Sequence, residues 1–105
     1  MKVIVKHMEM NEMTGAVEGY TPVAVVDVPK EHASVRIAAL EYAYRYTNNV
    51  MGSWSLKIGE DANDNVTVLV KREDGMGLRS SMMGDRFEVD GIDYRVALAG
   101  FKEVA

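Results

Sequence analysis

The chain has 105 residues, of which 48% are hydrophobic and 27% charged, and its formal net charge is −4. This length suits one domain with its own hydrophobic core, residues 1–105, and the composition excludes intrinsic disorder. The lack of cysteine excludes disulfides and thiolate-bound metals, and the negative charge argues against general duplex binding.

The first half of the chain predicts two strands and one helix. Residues 1–10 are apolar on both faces of an extended segment, which favours a strand in the interior of a sheet. Asn11 to Tyr20 has no periodicity and is predicted to be a loop, and the β-branched run Val23–Val26 predicts a short second strand. From Pro29 to about Asn48 the apolar residues recur with a helical period over a wide arc. We expect this helix to lie across a sheet.

The second half predicts four further strands. Alternating runs indicate a third strand over Trp54–Ile58 and a fourth over Val66–Val70, with a polar, acidic loop at Gly59–Asn65 between them. Asp90-Gly91 then separates two alternating runs, which predicts a two-residue β-hairpin because both turn residues must accept a positive φ. The complete order is β-β-α-β-β-β-β. It indicates an α+β fold, a mainly antiparallel sheet of about five or six strands with one helix packed on it.

The register of this hairpin follows from the length of its turn. Val89 pairs with Ile92 and Phe87 with Tyr94, and cross-strand partners share a face of the sheet. The face that we expect to be buried is apolar and collects Phe87, Val89, Ile92, Tyr94, Val96 and Leu98. The face that we expect to meet water is charged and collects Arg86, Glu88, Asp93 and Arg95.

The segment from Asp61 to Asn65 matches the opening of a calcium-binding loop. The later positions fail, because Val66 stands where the loop needs glycine and Arg72 where it needs the bidentate acid. We therefore predict a solvated turn at this segment, and we expect no metal and no cofactor.

No residue pattern predicts a catalytic site. His7 and His32 have no carboxylate at ligand spacing, so we expect each to be a surface or locally hydrogen-bonded histidine. Ser80 and Ser81 lack the surroundings of an activated nucleophile and are predicted to cap a turn. We expect the protein not to be an enzyme. A deep polar cleft that unites Ser80, Asp85 and a histidine would indicate the opposite.

Two further features have a structural and a functional interpretation. Trp54, in a polar stretch, fills one end of the core or forms an exposed anchor for a partner. Gly84-Asp85 sets a turn into the hairpin, with Asp85 accepting backbone N–H groups and pairing with Arg79, or these residues form a binding site. The structural interpretation is favoured for both features.

Three segments carry a resemblance to other proteins: LEYAYRYTNNVMGSWS (Leu40–Ser55), NVTVL (Asn65–Leu69) and LRSSMMGDRFEVDGIDYRVALAGF (Leu78–Phe101). Together they resemble a group of small proteins carried by bacteriophages and mobile elements. In that group a helix ending in aromatic-Thr-Asn/Gln is followed by a W-x segment, an Arg-Ser-x-x-x-Gly-Asp run and a Y-x-V…GF ending. The resemblance implies a phage accessory setting in the host cytoplasm, and it implies no mechanism.

Small size, acidity and this resemblance predict a phage-type accessory protein, a non-enzymatic protein-binding factor that modulates a host or defence protein. The candidate contact residues are Trp54, Arg79, Asp85, Glu60, Asp61 and Asp64. The alternative is an acidic modulator or mimic in nucleic-acid transactions, which requires the acidic residues to cluster on one surface. We expect a protein partner in the bacterial cytoplasm, no direct contact with nucleic acid and no membrane. A homodimer through an exposed sheet edge is compatible with either function.

Overall fold

The computed structural model describes residues 1–104, which form a six-stranded antiparallel sheet with one α-helix on one face. The strands are β1 (Lys2–Met10), β2 (Val17–Asp27), β3 (Val66–Val68), β4 (Arg86–Val89), β5 (Ile92–Val96) and β6 (Phe101–Glu103). The helix, α1, spans Arg36–Arg45, and 3-10 turns occupy Lys30–His32 and Gly59–Asp61. Across the sheet the order is β3-β2-β1-β4-β5-β6. The predicted α+β class and element order are confirmed.

β1 lies in the middle of the sheet, as its two-sided hydrophobicity predicts. It pairs antiparallel with β2 on one side and with β4 on the other. β2 begins at Val17, well before the predicted Val23, because its pairing with β1 continues to Met10. The predicted loop from Asn11 to Tyr20 is therefore shortened to residues 11–16.

The predicted hairpin is confirmed residue by residue. Asp90 and Gly91 have φ values of 54° and 76°, and β4 and β5 pair Val89 with Ile92 and Phe87 with Tyr94. One prediction for its apolar face is wrong, because the side chain of Leu98 is 92% exposed. Strand β5 ends at Val96, and a tight turn follows, closed by the Ala97 N–H donating to the Gly100 carbonyl at 2.9 Å, so that Leu98 lies at the tip.

α1 is shorter than the predicted helix from Pro29 to Asn48. The backbone at Val35 is extended, with φ −139° and ψ 159°, and this break separates α1 from the preceding 3-10 turn. Val35 and Ile37, which the wide apolar arc placed against the sheet, are consequently exposed. The helix buries Ala39, Leu40 and Ala43 against the sheet, whose buried side chains include Val3, Val5, Ala24, Val26, Val66, Phe87 and Val89.

The predicted third strand over Trp54–Ile58 is wrong. Ser53 and Ile58 exchange two backbone hydrogen bonds, of 3.1 and 3.0 Å, which close the segment into a tight loop. Lys57 takes a φ of 56°, and a Cβ on Gly52 would lie 2.0 Å from the Ile58 carbonyl oxygen. β6, which was not predicted, supplies the remaining strand. Among residues 1–104, none of the helices has the length and apolar character needed to cross a bilayer.

Candidate functional site

The carboxylate of Asp85 is fully buried and accepts four hydrogen bonds. Arg79 donates from both Nη atoms at 2.8 Å, the Met8 N–H at 2.9 Å and the Met82 N–H at 2.8 Å. Burial by itself would raise the pKa of the Asp85 carboxyl, but the hydrogen bonds from Arg79, Met8 and Met82 outweigh it and lower that pKa. These contacts join β1 to the segment that enters β4. They are the contacts expected if Asp85 has a structural role, in which it accepts backbone N–H groups at the turn and pairs with Arg79.

Gly84 allows β1 and this turn to approach closely. Its φ is 98°, a conformation that favours glycine, and its N–H donates to the Val96 carbonyl at 2.9 Å. A Cβ at this position would lie 2.9 Å from the Met8 Sδ. The structure therefore explains both residues of the Gly84-Asp85 pair by their local contacts.

His7 is buried on the helix side of β1 and heads a chain of hydroxyl groups. Its Nε2 lies 3.1 Å from the Ser81 Oγ, which lies 2.7 Å from the Thr47 Oγ1, and Thr47 donates to the Ala43 carbonyl at 2.8 Å. Because the Thr47 proton goes to Ala43, Ser81 must donate to Thr47 and His7 must donate to Ser81. The donor and the acceptor are thus fixed in each of these three hydrogen bonds.

These proton directions do not activate Ser81 as a nucleophile. A catalytic base accepts the serine proton on one ring nitrogen while an acid holds the other nitrogen. Here the Nε2 of His7 donates to Ser81, and the same nitrogen is the one that lies 3.9 Å from the Asp85 Oδ2. Ser80 points elsewhere, since its Oγ accepts the Asn49 N–H at 2.8 Å. The cleft that would unite Ser80, Asp85 and a histidine is not formed in residues 1–104.

Burial lowers the pKa of His7 from 6.5 to about 4, so the ring is neutral at neutral pH. His32 differs, since it is exposed and packs against the Tyr42 ring with centroids 4.9 Å apart. His32 thus lies at the surface, as the sequence predicts, whereas His7 is buried and bonds to a residue 74 positions away.

We expect the free energy of unfolding to fall by about 2 kcal/mol between about pH 7 and pH 5 because of His7 alone. The folded-state pKa of about 4 lies below the ordinary 6.5, so as pH falls the unfolded chain takes up the proton first. The stability that neutral His7 contributes is complete above pH 6.5 and is lost toward pH 4. Urea unfolding at several pH values measures the slope. His7→Gln should flatten it and His32→Gln should not, and an unchanged slope in His7→Gln would contradict the assignment.

Trp54 is fully buried, which decides between its two interpretations. Its indole Nε1 donates to the Arg79 carbonyl at 2.9 Å, and its ring lies edge-on to His7 with centroids 6.1 Å apart. Trp54 therefore belongs to the core and is not an exposed anchor. Asp85 is excluded as a contact residue on the same ground.

The acidic loop is divided between a buried and an exposed part. Asp61 is buried, and its carboxylate accepts the N–H groups of Val50 and Met51 at 2.9 and 2.8 Å and the Arg45 Nη1 at 3.1 Å. Burial would raise the pKa of Asp61, but these hydrogen bonds lower it. Of the remaining contact candidates, Glu60 and Asp64 are exposed and Arg79 is partly exposed. No three histidine or acidic residues in the described part of the chain lie close enough together to hold a metal ion.

A groove separates the outer side of α1 from the end of the sheet. Two adjoining cavities, of about 280 and 310 Å³, are both lined by Glu41, Tyr44 and Phe101. The Tyr44 and Phe101 rings lie edge-on with centroids 6.1 Å apart, and both pack on the buried Phe87, at 6.2 and 5.6 Å. The groove thus has an aromatic floor. Its two ends are lined by Arg45, Asn48 and Val50 and by Val96, Ala97, Leu98 and Gly100.

β6 is the last strand of the sheet and forms one wall of this groove. Two backbone hydrogen bonds flank its pairing with β5. The Ala97 N–H donates to the Gly100 carbonyl, and the Val104 N–H donates to the Asp93 carbonyl. Along an antiparallel pair, the N–H and C=O groups of successive residues point alternately toward the partner strand and away from it. Phe101 and Glu103 therefore direct these groups away from β5. These groups are available to another strand.

Sequence reasoning missed the groove because it missed β6. Phe101 is the only apolar residue of that strand, and Tyr44 was assigned to the core as part of the helical stripe. The signal that could have found β6 is the glycine turn at Gly100 followed by alternating Phe101 and Lys102. Comparison of the chain with protein-family models, with curated proteins and with solved structures finds no match.

Proposed function

We propose that this protein is a non-enzymatic protein-binding factor that accepts an extended segment of a partner protein along β6. The observation that carries the proposal is the outer edge of β6, where the backbone groups of Phe101 and Glu103 face outward beside an aromatic groove. In binding by strand addition, main-chain hydrogen bonds supply affinity and pockets for alternate side chains supply specificity. β6 provides the main-chain groups, and the groove provides a pocket for a side chain.

The groove favours an apolar side chain on the added strand. Side chains of the added strand alternate between the two faces of the sheet, so those beside Phe101 enter the groove toward Tyr44. The cavity of about 280 Å³ lies just below the range of small-molecule sites and has room for one or two side chains. Glu41 lines the same groove and places a carboxylate at its rim.

The opposite edge of the sheet is a weaker candidate. β3 is also a terminal strand of three residues, but the N–H of Val66, one of its outward groups, already donates to the Asn63 carbonyl at 3.1 Å. In β6, by contrast, Lys102 and Glu103 are both exposed. Within residues 1–104, the N–H groups of Phe101 and Glu103 have no such backbone acceptor, so an incoming strand can use them.

The resemblance to phage accessory proteins supports a partner among the proteins of the host cytoplasm. A short accessory chain acts on a host or defence protein most simply by covering one of its surfaces. Strand addition requires only an exposed, extended segment on that protein. Glu60, Asp64 and Arg79 lie outside β6 and are not needed for this contact.

The alternative of an acidic mimic lacks a specific observation in its favour. It requires carboxylates gathered on one surface, but some of the 16 acidic residues pair with basic side chains of the protein itself. Six are within ion-pair distance of a lysine or arginine: Asp61, Asp74, Asp85, Glu88, Asp90 and Asp93. These six carboxylates are therefore not free to contribute to a single acidic surface.

Proline at position 103 is expected to abolish strand addition while leaving the fold intact. The Glu103 N–H faces outward, and proline is tolerated at such edge positions because no ladder hydrogen bond is lost. The probe is a displayed library of random linear peptides, selected on the wild-type protein. We expect the selected peptides to bind Glu103→Pro at least about tenfold more weakly, through lost hydrogen bonds and the steric bulk of the ring.

Glu103→Ala is the matched control, since it removes the same side chain and keeps the N–H. It should bind the peptides within about twofold of wild type, apart from the small contribution of the lost charge. Circular dichroism and thermal unfolding establish that both variants fold. Selection that yields no binder, or binders that Glu103→Pro accepts as well as Glu103→Ala does, would overturn the proposal.

A further inference from the structure

The face of the sheet opposite α1 carries a row of positive charges. Strand register places Arg86 opposite Arg95, and Arg95 opposite Lys102, so the three side chains lie in one line across β4, β5 and β6. They point away from the helix, because the neighbouring Phe87 and Val96 are buried in the core. Adjacent strands are about 4.8 Å apart, so the row spans about 10 Å and ends at the outer edge of β6.

The charges of this row are not balanced within residues 1–104. Among the described residues, no carboxylate lies within 4.0 Å of Arg86, Arg95 or Lys102. Lys6, next in line on β1, by contrast contacts Glu88 at 2.8 Å and Asp93 at 2.9 Å. Like charges that face each other across strands destabilise a sheet. The protein keeps three of them side by side on the one face that no helix covers.

Arg86 is held in place although it lacks an anionic partner. Its guanidinium carbon lies 4.2 Å from the centroid of the Tyr20 ring, and its Nε is buried without a hydrogen-bond partner. Stacking on an aromatic ring fixes an arginine while leaving its Nη groups available. Arg86 is thus an ordered cation at the inner end of the row.

We propose that the segment that docks on β6 carries an acidic side chain opposite Lys102, which the row of Arg86, Arg95 and Lys102 recognises. This inference rests on the function proposed above and specifies the chemistry of the partner. Phe101 and Glu103 make the outward hydrogen bonds, so Lys102 lies at a non-hydrogen-bonded position, where facing side chains approach most closely. An aspartate or glutamate at the facing position extends the row by one strand and supplies the missing anion.

The same geometry gives the neighbouring positions of the segment. In an antiparallel addition, the residue before the acid faces Glu103 and the residue after it faces Phe101. A basic residue complements Glu103, and an apolar residue fills the groove beside Phe101. The segment that fits is therefore basic, acidic, apolar in chain order.

A second copy of this chain fits poorly on β6. Two-fold pairing of β6 with itself would use the same outward groups and would place Lys102 directly opposite its own copy. That is the closest approach in the pair, and like charges there are unfavourable. A lysine on an edge strand is a common means of preventing self-association. A heterologous acidic segment relieves the repulsion that a homodimer would add.

The test is the peptide selection described above, repeated on Lys102→Glu and on Lys30→Glu. Lys30 is exposed and lies in the 3-10 turn before α1, so Lys30→Glu makes the same charge change away from β6. On wild type and Lys30→Glu we expect Asp and Glu to be enriched about threefold or more at one position of the selected peptides. On Lys102→Glu that position should change to Lys and Arg, as a charge reversal requires.

The outcomes separate this inference from the proposed function. Binders that depend on the Glu103 N–H but show no acidic preference, or the same preference on Lys102→Glu, would overturn the inference alone. Selection without any binder would overturn both. Binding of a labelled single-stranded oligonucleotide that Lys102→Glu abolishes, without acidic enrichment among peptides, would assign the row to phosphate and overturn the inference. So would a wild-type dimer that Glu103→Pro converts to monomer.

Discussion

Asp85→Ala is expected to lower the free energy of unfolding by about 3–5 kcal/mol, the usual cost of removing one partner of a buried ion pair. The carboxylate is fully buried and is the acceptor for the N–H groups of Met8 and Met82 as well as for Arg79. Arg79 is 38% exposed and can turn toward water, but the two amides lose their acceptor in place. Urea unfolding at neutral pH, followed by circular dichroism, measures the loss.

Asp74→Ala is the matched control for this experiment. Asp74 also pairs with an arginine, Arg72, but its side chain is 48% exposed and water screens the pair, so its removal should cost far less than the removal of Asp85. Asp85→Asn, which keeps the shape and one acceptor oxygen, should lie between the two variants. If Asp85→Ala lost no more stability than Asp74→Ala, Asp85 would not hold β1 to the turn before β4.

Trp54→Ala is expected to cost about 3–5 kcal/mol, the range for truncating a buried large aromatic residue. The indole is fully buried between the 53–58 loop and His7, and its N–H satisfies the Arg79 carbonyl. Truncation leaves a cavity and an unpaired carbonyl together. In a domain of this size the expected fall in Tm is about 15–30 °C by thermal unfolding.

Two other substitutions in the same loop serve as controls for Trp54→Ala. Trp54→Phe retains most of the ring and loses only the N–H, so we expect about 1–2 kcal/mol, and this variant should fold even where Trp54→Ala does not. Leu56→Ala truncates an exposed side chain and should change stability by less than about 0.5 kcal/mol. Equal effects of Trp54→Ala and Leu56→Ala would show that the indole is not part of the core.

The parts of the fold that local chemistry determines could be predicted from the sequence. The β4–β5 hairpin was predicted to the residue because Asp90-Gly91 accepts two positive φ values and leaves only one register. The same kind of reasoning failed over Trp54–Ile58. There the alternation of apolar and polar residues is that of a strand, but glycine at position 52 and the positive φ of Lys57 allow a closed loop.

The candidate site depended on contacts that sequence spacing does not contain. His7 and Ser81 are 74 positions apart, and Lys6 meets Glu88 across 82. The charged face of the hairpin was predicted, but the third member of its cationic row, Lys102, was not, because β6 has one apolar residue in three and gave no strand pattern. Recognising that row required the strand order.

The strand order also governs when the sheet can be completed. β1 can pair early with its neighbour in sequence, β2, but its other edge must wait for β4, more than half of the chain away. Contacts of such high sequence separation slow folding, and an unpaired, β-branched edge is prone to associate with other chains in the meantime. During synthesis on the ribosome, the β1–β2 pair would therefore emerge and persist with an open flank until β4 follows it, a period in which chaperone binding would be most useful.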